Sequence, residues 1–160
     1  MTHEEFTKIA LKYSDSIFRI AFNYCKSRAD ADDIVQNVLL KFYKETKNFD
    51  SEEHIRNWLI RVAINESKKL LISPFKKRMV SIDELEEKPV FDNTDQSVLY
   101  DTVMALPQKY RIVVYLFYYE EYSVEEISKM LNVNSSTVRT RLSRARNRLK
   151  EQLQGVWTDE

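Results

Sequence analysis

Residues that make tight turns and covalent cross-links are scarce in this chain of 160 residues, which contains one glycine, three prolines and one cysteine. A sheet-rich fold with many tight turns needs residues that tolerate positive φ, so this composition argues against it. The single Cys25 cannot form an internal disulfide or a cysteine-based zinc site. These absences favour a protein of a reducing compartment or one in which cysteine has no redox role.

Long apolar runs and an excess of one charge are also missing. No run approaches the roughly 18 to 20 residues of a membrane span. The opening MTHEEFTKIA lacks the basic-then-apolar pattern of a signal peptide. Lysine and arginine total 25, as do aspartate and glutamate, so the net charge does not indicate a polyanionic partner. We expect a cytoplasmic protein without membrane insertion.

The patterns of enzymes and metal sites are not found either. There is no glycine-rich phosphate loop and no His-x-x-x-His pair, and His3 and His54 lie among polar residues without an adjacent nucleophile. The acidic residues at 30–33 begin a predicted helix, where the helix dipole accounts for them. We therefore expect no enzyme, no catalytic residue, no metal site and no cofactor.

What the chain does have is helical periodicity, with 43% hydrophobic and 12% aromatic residues. Apolar residues recur at spacings of three and four over 6–24, 31–42 and about 52–71, which predicts three amphipathic helices. Asp50, three residues before Glu53, is predicted to start the third helix with a capping box. Three helices of this length can close a small bundle.

The periodicity is lost over residues 73–95, which hold two of the three prolines and the acid-rich stretch DELEEKPVFDNTD. This composition predicts a flexible linker. Helical spacing returns over 98–119, with a break at Pro107. We therefore expect an all-α fold of two small helical domains, 1–72 and 96–155, joined by that linker.

The stretch SVEEISKMLNVNSSTVRTRLSRARNRL has the pattern of a helix-turn-helix. Ser123 and Glu126 form a predicted capping box, and Asn132 tolerates the left-handed conformation that ends the first helix. Asn134 or Ser135 is predicted to cap the second helix. That helix buries a stripe at spacings of four, three and four, formed by Val138, Leu142, Ala145 and Leu149.

The opposite face of this second helix carries hydroxyl groups first and arginines later. Its residues are Ser135, Ser136, Thr137, Arg139, Thr140, Ser143 and Arg144, followed by Arg146, Arg148 and Lys150. A recognition helix presents its N-terminal part to base edges, where arginine pairs with guanine O6 and N7. We predict DNA binding, with the later arginines near phosphates; the alternative is a solvated basic helix end.

With these motifs, the chain resembles the sigma-70 family of bacterial RNA polymerase sigma factors, in particular the extracytoplasmic-function (ECF) type. DADDIVQNVLLKFYK is similar to the family's clamp-binding helix and NWLIRVAINESKKLL to its promoter −10 helix. LPQKYRIVVYLFYYEEYSVEEISKMLNVNSSTVRTRLSRARNRL is similar to its −35 domain. The resemblance implies a dissociable subunit that binds core RNA polymerase, recognises two promoter elements and helps to open the duplex.

The resemblance also implies which residues make these contacts. The polymerase partners are the clamp of the largest subunit and the flap of the second-largest, and the clamp-binding residues are Asp33, Ile34, Gln36, Asn37 and Leu40. Unpaired bases of the −10 element are held by a loop and a helix face, formed by Asn48, Phe49, Asp50, Ser51, His54, Asn57, Arg61, Asn65 and Lys68. Trp58, at core spacing, is interpreted as a packing residue.

The family's −35 base contacts coincide with the outward helix face identified above from periodicity. The resemblance further implies an anti-sigma protein that holds the two domains inactive. An alternative interpretation is a free-standing helix-turn-helix repressor or activator that uses the N-terminal bundle as its dimer surface. Affinity for core polymerase distinguishes the two, because a repressor lacks it.

Overall fold

A computed structural model describes residues 1–73 and 94–157 of the chain. All regular structure in these two ranges is helical, in α1 His3–Cys25, α2 Arg28–Lys44, α3 Glu52–Ile72, α4 Thr94–Met104, α5 Gln108–Val114, α6 Val124–Leu131 and α7 Ser135–Trp157. A π-helical turn, Tyr115–Tyr119, continues α5. The helices form two compact units, α1–α3 and α4–α7, which confirms the predicted all-α fold.

The predicted linker over 73–95 lies almost entirely outside the described residues, and α4 begins at Thr94. Among the helices of the described ranges, none has an apolar stretch long enough to cross a membrane.

The first unit is a three-helix bundle in which each helix packs against the other two. Its largest fully buried side chains are Ile17, Ile20, Val38, Phe42, Leu59, Ile60 and Ile64. Burying a side chain of this size stabilises the fold by about 1.5–3 kcal/mol. The helix starts are set locally: a capping box joins Thr2 and Glu5 ahead of α1, and the Ser27 hydroxyl accepts from the Asp30 amide ahead of α2.

The start of α3 differs from the prediction by one residue. Ser51 occupies the N-cap, where its hydroxyl accepts from the His54 amide at 3.1 Å. The Asp50 amide instead donates to His54 Nδ1 at 3.2 Å. The predicted capping box of Asp50 and Glu53 is therefore wrong. Both Asp and Ser can cap a helix, and the cap belongs to the last residue with extended backbone, which is Ser51.

The second unit packs α4, α5 and α6 against the long α7. One part of its core joins Leu106, Tyr110, Val114 and Ala145. Arg111 is also buried, and its guanidinium donates to the carbonyl oxygens of Leu106 at 3.1 Å and Met104 at 3.4 Å. Sequence spacing did not indicate this role of Arg111, which satisfies the carbonyl of the last residue of α4 and one carbonyl just beyond the helix.

The helix-turn-helix is confirmed in its local details. The Ser123 hydroxyl accepts from the Glu126 amide at 3.1 Å, and the Glu126 carboxylate accepts from the Ser123 amide at 3.0 Å. Asn132 ends α6 with φ 56° and ψ 48°, in the left-handed region. The helix α7 then buries Val138, Leu142 and Ala145 of its predicted stripe, whereas Leu149 is half-buried. Cap, turn and stripe together orient the opposite face of α7 to solvent.

Candidate nucleic-acid and polymerase interfaces

The residues predicted to contact the −35 element lie along α7. Ser135 and Thr137 are half-buried, and the others are exposed: Ser136, Arg139, Thr140, Ser143, Arg144, Arg146 and Arg148. The Ser135 hydroxyl lies 3.5 Å from that of Ser128 and so links the start of α7 to α6. With 3.6 residues per turn, the face opposite the buried stripe carries Ser136, Thr140, Ser143 and Arg144, with Arg139 and Arg146 on one flank and Arg148 on the other.

Arg139 is paired with an acidic residue of the preceding helix. Its Nη2 atom lies 3.3 Å from Oε1 of Glu125, and the two side chains are 60% and 64% exposed. Glu125 lies in the first turn of α6. The pair therefore bridges the two helices of the helix-turn-helix on the exposed surface.

Arg146 is held by aromatic side chains of the π-helical turn. Its Nε donates to the Tyr118 hydroxyl at 2.6 Å, and its guanidinium carbon lies 5.7 Å from the ring centroids of both Phe117 and Tyr118. Cation–π contacts orient a guanidinium without neutralising it. Arg146 thus keeps its charge while its side chain is fixed against the protein.

Arg144 and Arg148 interact with Tyr110 on the other flank of α7. The guanidinium carbon of Arg148 lies 5.0 Å from the Tyr110 ring centroid. Desolvation raises the pKa of the Tyr110 hydroxyl, but a hydrogen bond with Arg144 and the charges of Lys109, Arg144 and Arg148 outweigh it and lower that pKa overall. The basic half of α7 is therefore supported by tyrosines on both sides.

The loop before α3 lies beside an aromatic cluster. The Phe49 ring centroid is 5.8 Å from that of Phe42, 5.8 Å from that of Trp58 and 5.1 Å from that of His54. Phe42 and Trp58 are themselves 5.9 Å apart. Trp58 is therefore a packing residue, as predicted, and Phe49 anchors the loop to the bundle.

Around this anchor lie the other residues predicted to hold −10 bases. Asn48, Asp50 and Ser51 are exposed in the loop, although the Ser51 hydroxyl already caps α3. On α3, at spacings of four, four and three, one face carries half-buried Asn57 and exposed Arg61, Asn65 and Lys68. The loop and this helix face together offer amide, hydroxyl and cationic groups.

An open groove between α2 and α3 shares Asn65 and Lys68 with this face and contains a charged triad. It is lined by Lys41, Val62, Asn65, Glu66, Lys68 and Lys69. The Glu66 carboxylate forms an ion pair with the Lys41 ammonium, and its Oε1 atom lies 3.5 Å from Lys69 Nζ. Burial raises the pKa of Glu66, but the hydrogen bond and charge of Lys41 and the charge of Lys69 lower it overall.

The residues predicted to bind the polymerase clamp separate into two groups. Asp33, Gln36, Asn37 and Leu40 are exposed on one face of α2, where Leu40 is 51% exposed. Ile34 is 3% exposed, so a partner cannot reach it without unfolding the bundle. Its predicted contact is therefore withdrawn, because Ile34 belongs to the buried stripe of α2 with Val38.

Several residues that support these surfaces were missed by sequence reasoning. Three of these residues each contact an arginine of α7: Tyr110, Tyr118 and Glu125. Each lies more than ten residues from its arginine along the chain, so no local spacing connects the two.

These features define a protein of two helical units, one with a helix-turn-helix whose second helix has an exposed basic face, the other with a helix face on which Leu40 and polar side chains are exposed. Residues 9–72 match the model of sigma-70 region 2, and residues 96–149 match that of sigma-70 region 4. The RNA polymerase sigma-E factor of Streptomyces coelicolor is 30% identical over 153 residues, covering 93% of this chain and 86% of that protein. This chain belongs to the sigma-70 family of RNA polymerase sigma factors.

Other similarities agree with the ECF type. The ECF RNA polymerase sigma factor SigW of Bacillus subtilis is 27% identical over 174 residues, covering 96% of this chain and 91% of that protein. Among solved structures, the sigma factor RpoE of Bartonella quintana, in complex with the anti-sigma factor NepR, has a TM-score of 0.73 at 21% identity, covering 94% of this chain and 98% of that chain. Promoter-directed initiation is thus the function of the family to which the chain belongs.

Proposed function

We propose that this protein binds core RNA polymerase through α2, recognises the −10 element through the loop at 48–51 and α3, and recognises the −35 element through α7. The observation that carries this proposal is the helix-turn-helix, whose exposed helix presents hydroxyls and then arginines, in a chain that also contains a sigma-type bundle. The phosphodiester chemistry belongs to the polymerase, so the protein needs no catalytic step of its own. Its place of action is the cytoplasm.

At the −35 element, the exposed face of α7 supplies two kinds of contact. Ser136, Thr140 and Ser143 are small enough to let the helix approach base edges closely. Arg139 and Arg144 each have donors for guanine, and a good bidentate pair discriminates by about 1–3 kcal/mol. Arg146 and Arg148, already oriented by aromatic rings, face the phosphates.

At the −10 element, the chemistry suits bases that have left the stack. Flipping a base costs a few kcal/mol, which a site recovers by hydrogen bonds and stacking in the flipped state. Asn57, Asn65 and Asn48 offer paired donors and acceptors, while Arg61 and Lys68 offer positive charge for the strand's phosphates. Holding such bases favours the open duplex over the closed one.

Core polymerase supplies the DNA affinity that this chain, with no net charge, lacks by itself. The face of α2 combines exposed Leu40 with Asp33, Gln36 and Asn37, a mixture suited to the clamp, and the second unit has the flap as its partner. With only about four to six phosphates neutralised, the isolated chain binds DNA weakly at physiological salt, with a log–log salt slope near −4 to −5.

An anti-sigma factor completes the proposed set of partners. The similar fold of RpoE from Bartonella quintana was solved with such a protein bound. We propose that a protein of this class also binds the present chain and covers its polymerase-binding or DNA-binding faces.

The proposal is tested by reconstitution with bacterial core polymerase and run-off transcription across a promoter library at moderate salt. We expect specific initiation that Arg139→Ala with Arg144→Ala abolishes while binding to core persists. Failure to bind core, under conditions where a known sigma factor binds, would contradict the proposal.

The polymerase surface is tested separately with matched leucines. Leu40→Glu is expected to weaken core binding about tenfold or more, because it places a charge in the proposed contact. Leu11→Glu is the control, since Leu11 is 77% exposed on α1, outside that face. Equal loss in both variants would show that α2 is not the contact.

A further inference from the structure

We propose that Glu125 is a specificity-determining positioning residue, whose carboxylate holds Arg139 in the orientation in which it reads a base pair of the −35 element. The inference rests on the proposed function, in that α7 must lie against promoter DNA. It adds a residue outside the recognition helix to those that decide promoter choice.

The position of Glu125 is set by the backbone, independently of Arg139. It follows Ser123 by two residues, and the capping box of Ser123 and Glu126 fixes the turn in which it lies. The Ser128 hydroxyl donates to the Glu125 carbonyl at 2.7 Å, and Ser135 at the start of α7 approaches that same hydroxyl. The helix α6 therefore presents the carboxylate at a defined place beside α7.

The contact leaves Arg139 able to bind a base. Glu125 Oε1 approaches one guanidinium nitrogen, Nη2, at 3.3 Å. A guanidinium carries five N–H donors, and a bidentate contact with guanine uses two of them. Because the pair is exposed, DNA can reach these donors while the carboxylate restricts the rotamers of a long side chain.

Arg139 differs in this respect from the arginines later in α7. Arg146 and Arg148 lie over aromatic rings, which orient them without reducing their charge. Such cations suit phosphates, which attract positive charge from any DNA sequence. Arg139 is partly neutralised by Glu125, so it gains less binding free energy from phosphates than Arg146 and Arg148 do. Its contribution is therefore less to affinity for any DNA and more to the choice of base pair.

Removing the carboxylate should therefore have two opposite effects. Loss of a negative charge near the DNA should increase binding to all sequences, while a less restricted Arg139 should discriminate less well between base pairs. The ratio of initiation on preferred and substituted promoters separates these effects, whereas total activity does not.

The experiment uses full-length protein with core polymerase on a promoter library randomised through the −35 element. Glu125→Gln should reduce the preference at the base pair read by Arg139 about two- to fivefold, the range of an exposed ion pair. Glu151→Gln is the charge control, because Glu151 is exposed and lies twelve residues, or about 18 Å, further along α7. It should leave the preference unchanged.

A double-mutant cycle identifies the route of the effect. Arg139→Ala should reduce the preference at one base pair about tenfold, and in that background Glu125→Gln should have no further effect on it. The inference is overturned if Glu125→Gln leaves the preference intact, if it acts equally at every position, or if its effect persists without Arg139. Absence of any −35 preference in the wild type would instead contradict the proposed function of α7.

Discussion

The two helical units differ in the side-chain partners of several exposed cations. In the first unit, Lys12 pairs with Glu52 at 2.8 Å and Lys41 pairs with Glu66, in each case between helices. In the second unit, Arg146 and Arg148 lie against aromatic rings. A carboxylate cancels most of the field of a cation, whereas an aromatic ring leaves it. Arg146 and Arg148 of the second unit therefore keep an ordered positive charge, although Arg139 of that unit pairs with Glu125.

This difference matches the two forms of nucleic acid that the units are proposed to bind. A duplex presents closely spaced phosphates and is bound largely through positive charge. Unpaired bases present edges and π faces, which hydrogen-bonding and aromatic groups recognise. The face of α3 carries two asparagines beside its cations, while the face of α7 carries four of the predicted arginines.

The largest expected effect breaks the second unit alone. Leu142 is 2% exposed in its core, and Leu142→Ala should cost about 2–5 kcal/mol of unfolding free energy through lost burial and a residual cavity. Hydrogen exchange measured helix by helix should show α5–α7 losing protection. Ser143→Ala, at the neighbouring exposed position, is the control and should change little. Retained protection of α5–α7 in Leu142→Ala would contradict the packing described here.

A smaller change tests how the aromatic rings hold the arginines. Tyr118→Phe removes the hydroxyl that accepts from Arg146 and keeps the ring, so it should cost about 1 kcal/mol in chemical denaturation. It should also reduce initiation more at high salt than at low salt. Tyr43→Phe in the first unit is the matched control. If the two substitutions had equal effects on stability and initiation, the Tyr118 hydroxyl would have no special role in holding Arg146.

The smallest expected effect concerns the carboxylates of the first unit. The folded pKa of Glu66 lies below its ordinary value of 4.5, so its stabilising contribution is present above that pH and is lost as pH falls through the folded pKa. In Glu66→Gln this component of acid destabilisation should be absent, a change of less than about 1 kcal/mol. Denaturant titrations from pH 6 to pH 3 measure it.

Asp15→Asn, which removes an exposed acid from α1, is the control for that titration and should keep the pH dependence of the wild type. Identical acid profiles for Glu66→Gln and the wild type would show that the Lys41 pair does not contribute to stability.

Sequence reasoning succeeded where the controlling interactions are local and erred where two neighbouring residues were equally suitable. The box of Ser123 and Glu126 and the left-handed Asn132 depend on residues a few positions apart, and both occur as predicted. The cap of α3 moved from Asp50 to Ser51 because either side chain can accept the bond. Ile34 is a different case, because the family resemblance assigned it to the polymerase surface while its spacing of four from Val38 fits the buried stripe.

The sequence by itself determined the helices, the capping box of α6, the turn between α6 and α7 and the exposed face of α7, because each depends on propensities and hydrogen bonds within about four residues. Only the tertiary structure decided which partner each exposed cation has. Arg139 meets Glu125, and Arg146 meets Tyr118, across distances along the chain of 14 and 28 residues. Burial of apolar stripes fixes how the helices lie against one another, and the meeting of these side chains follows from that packing.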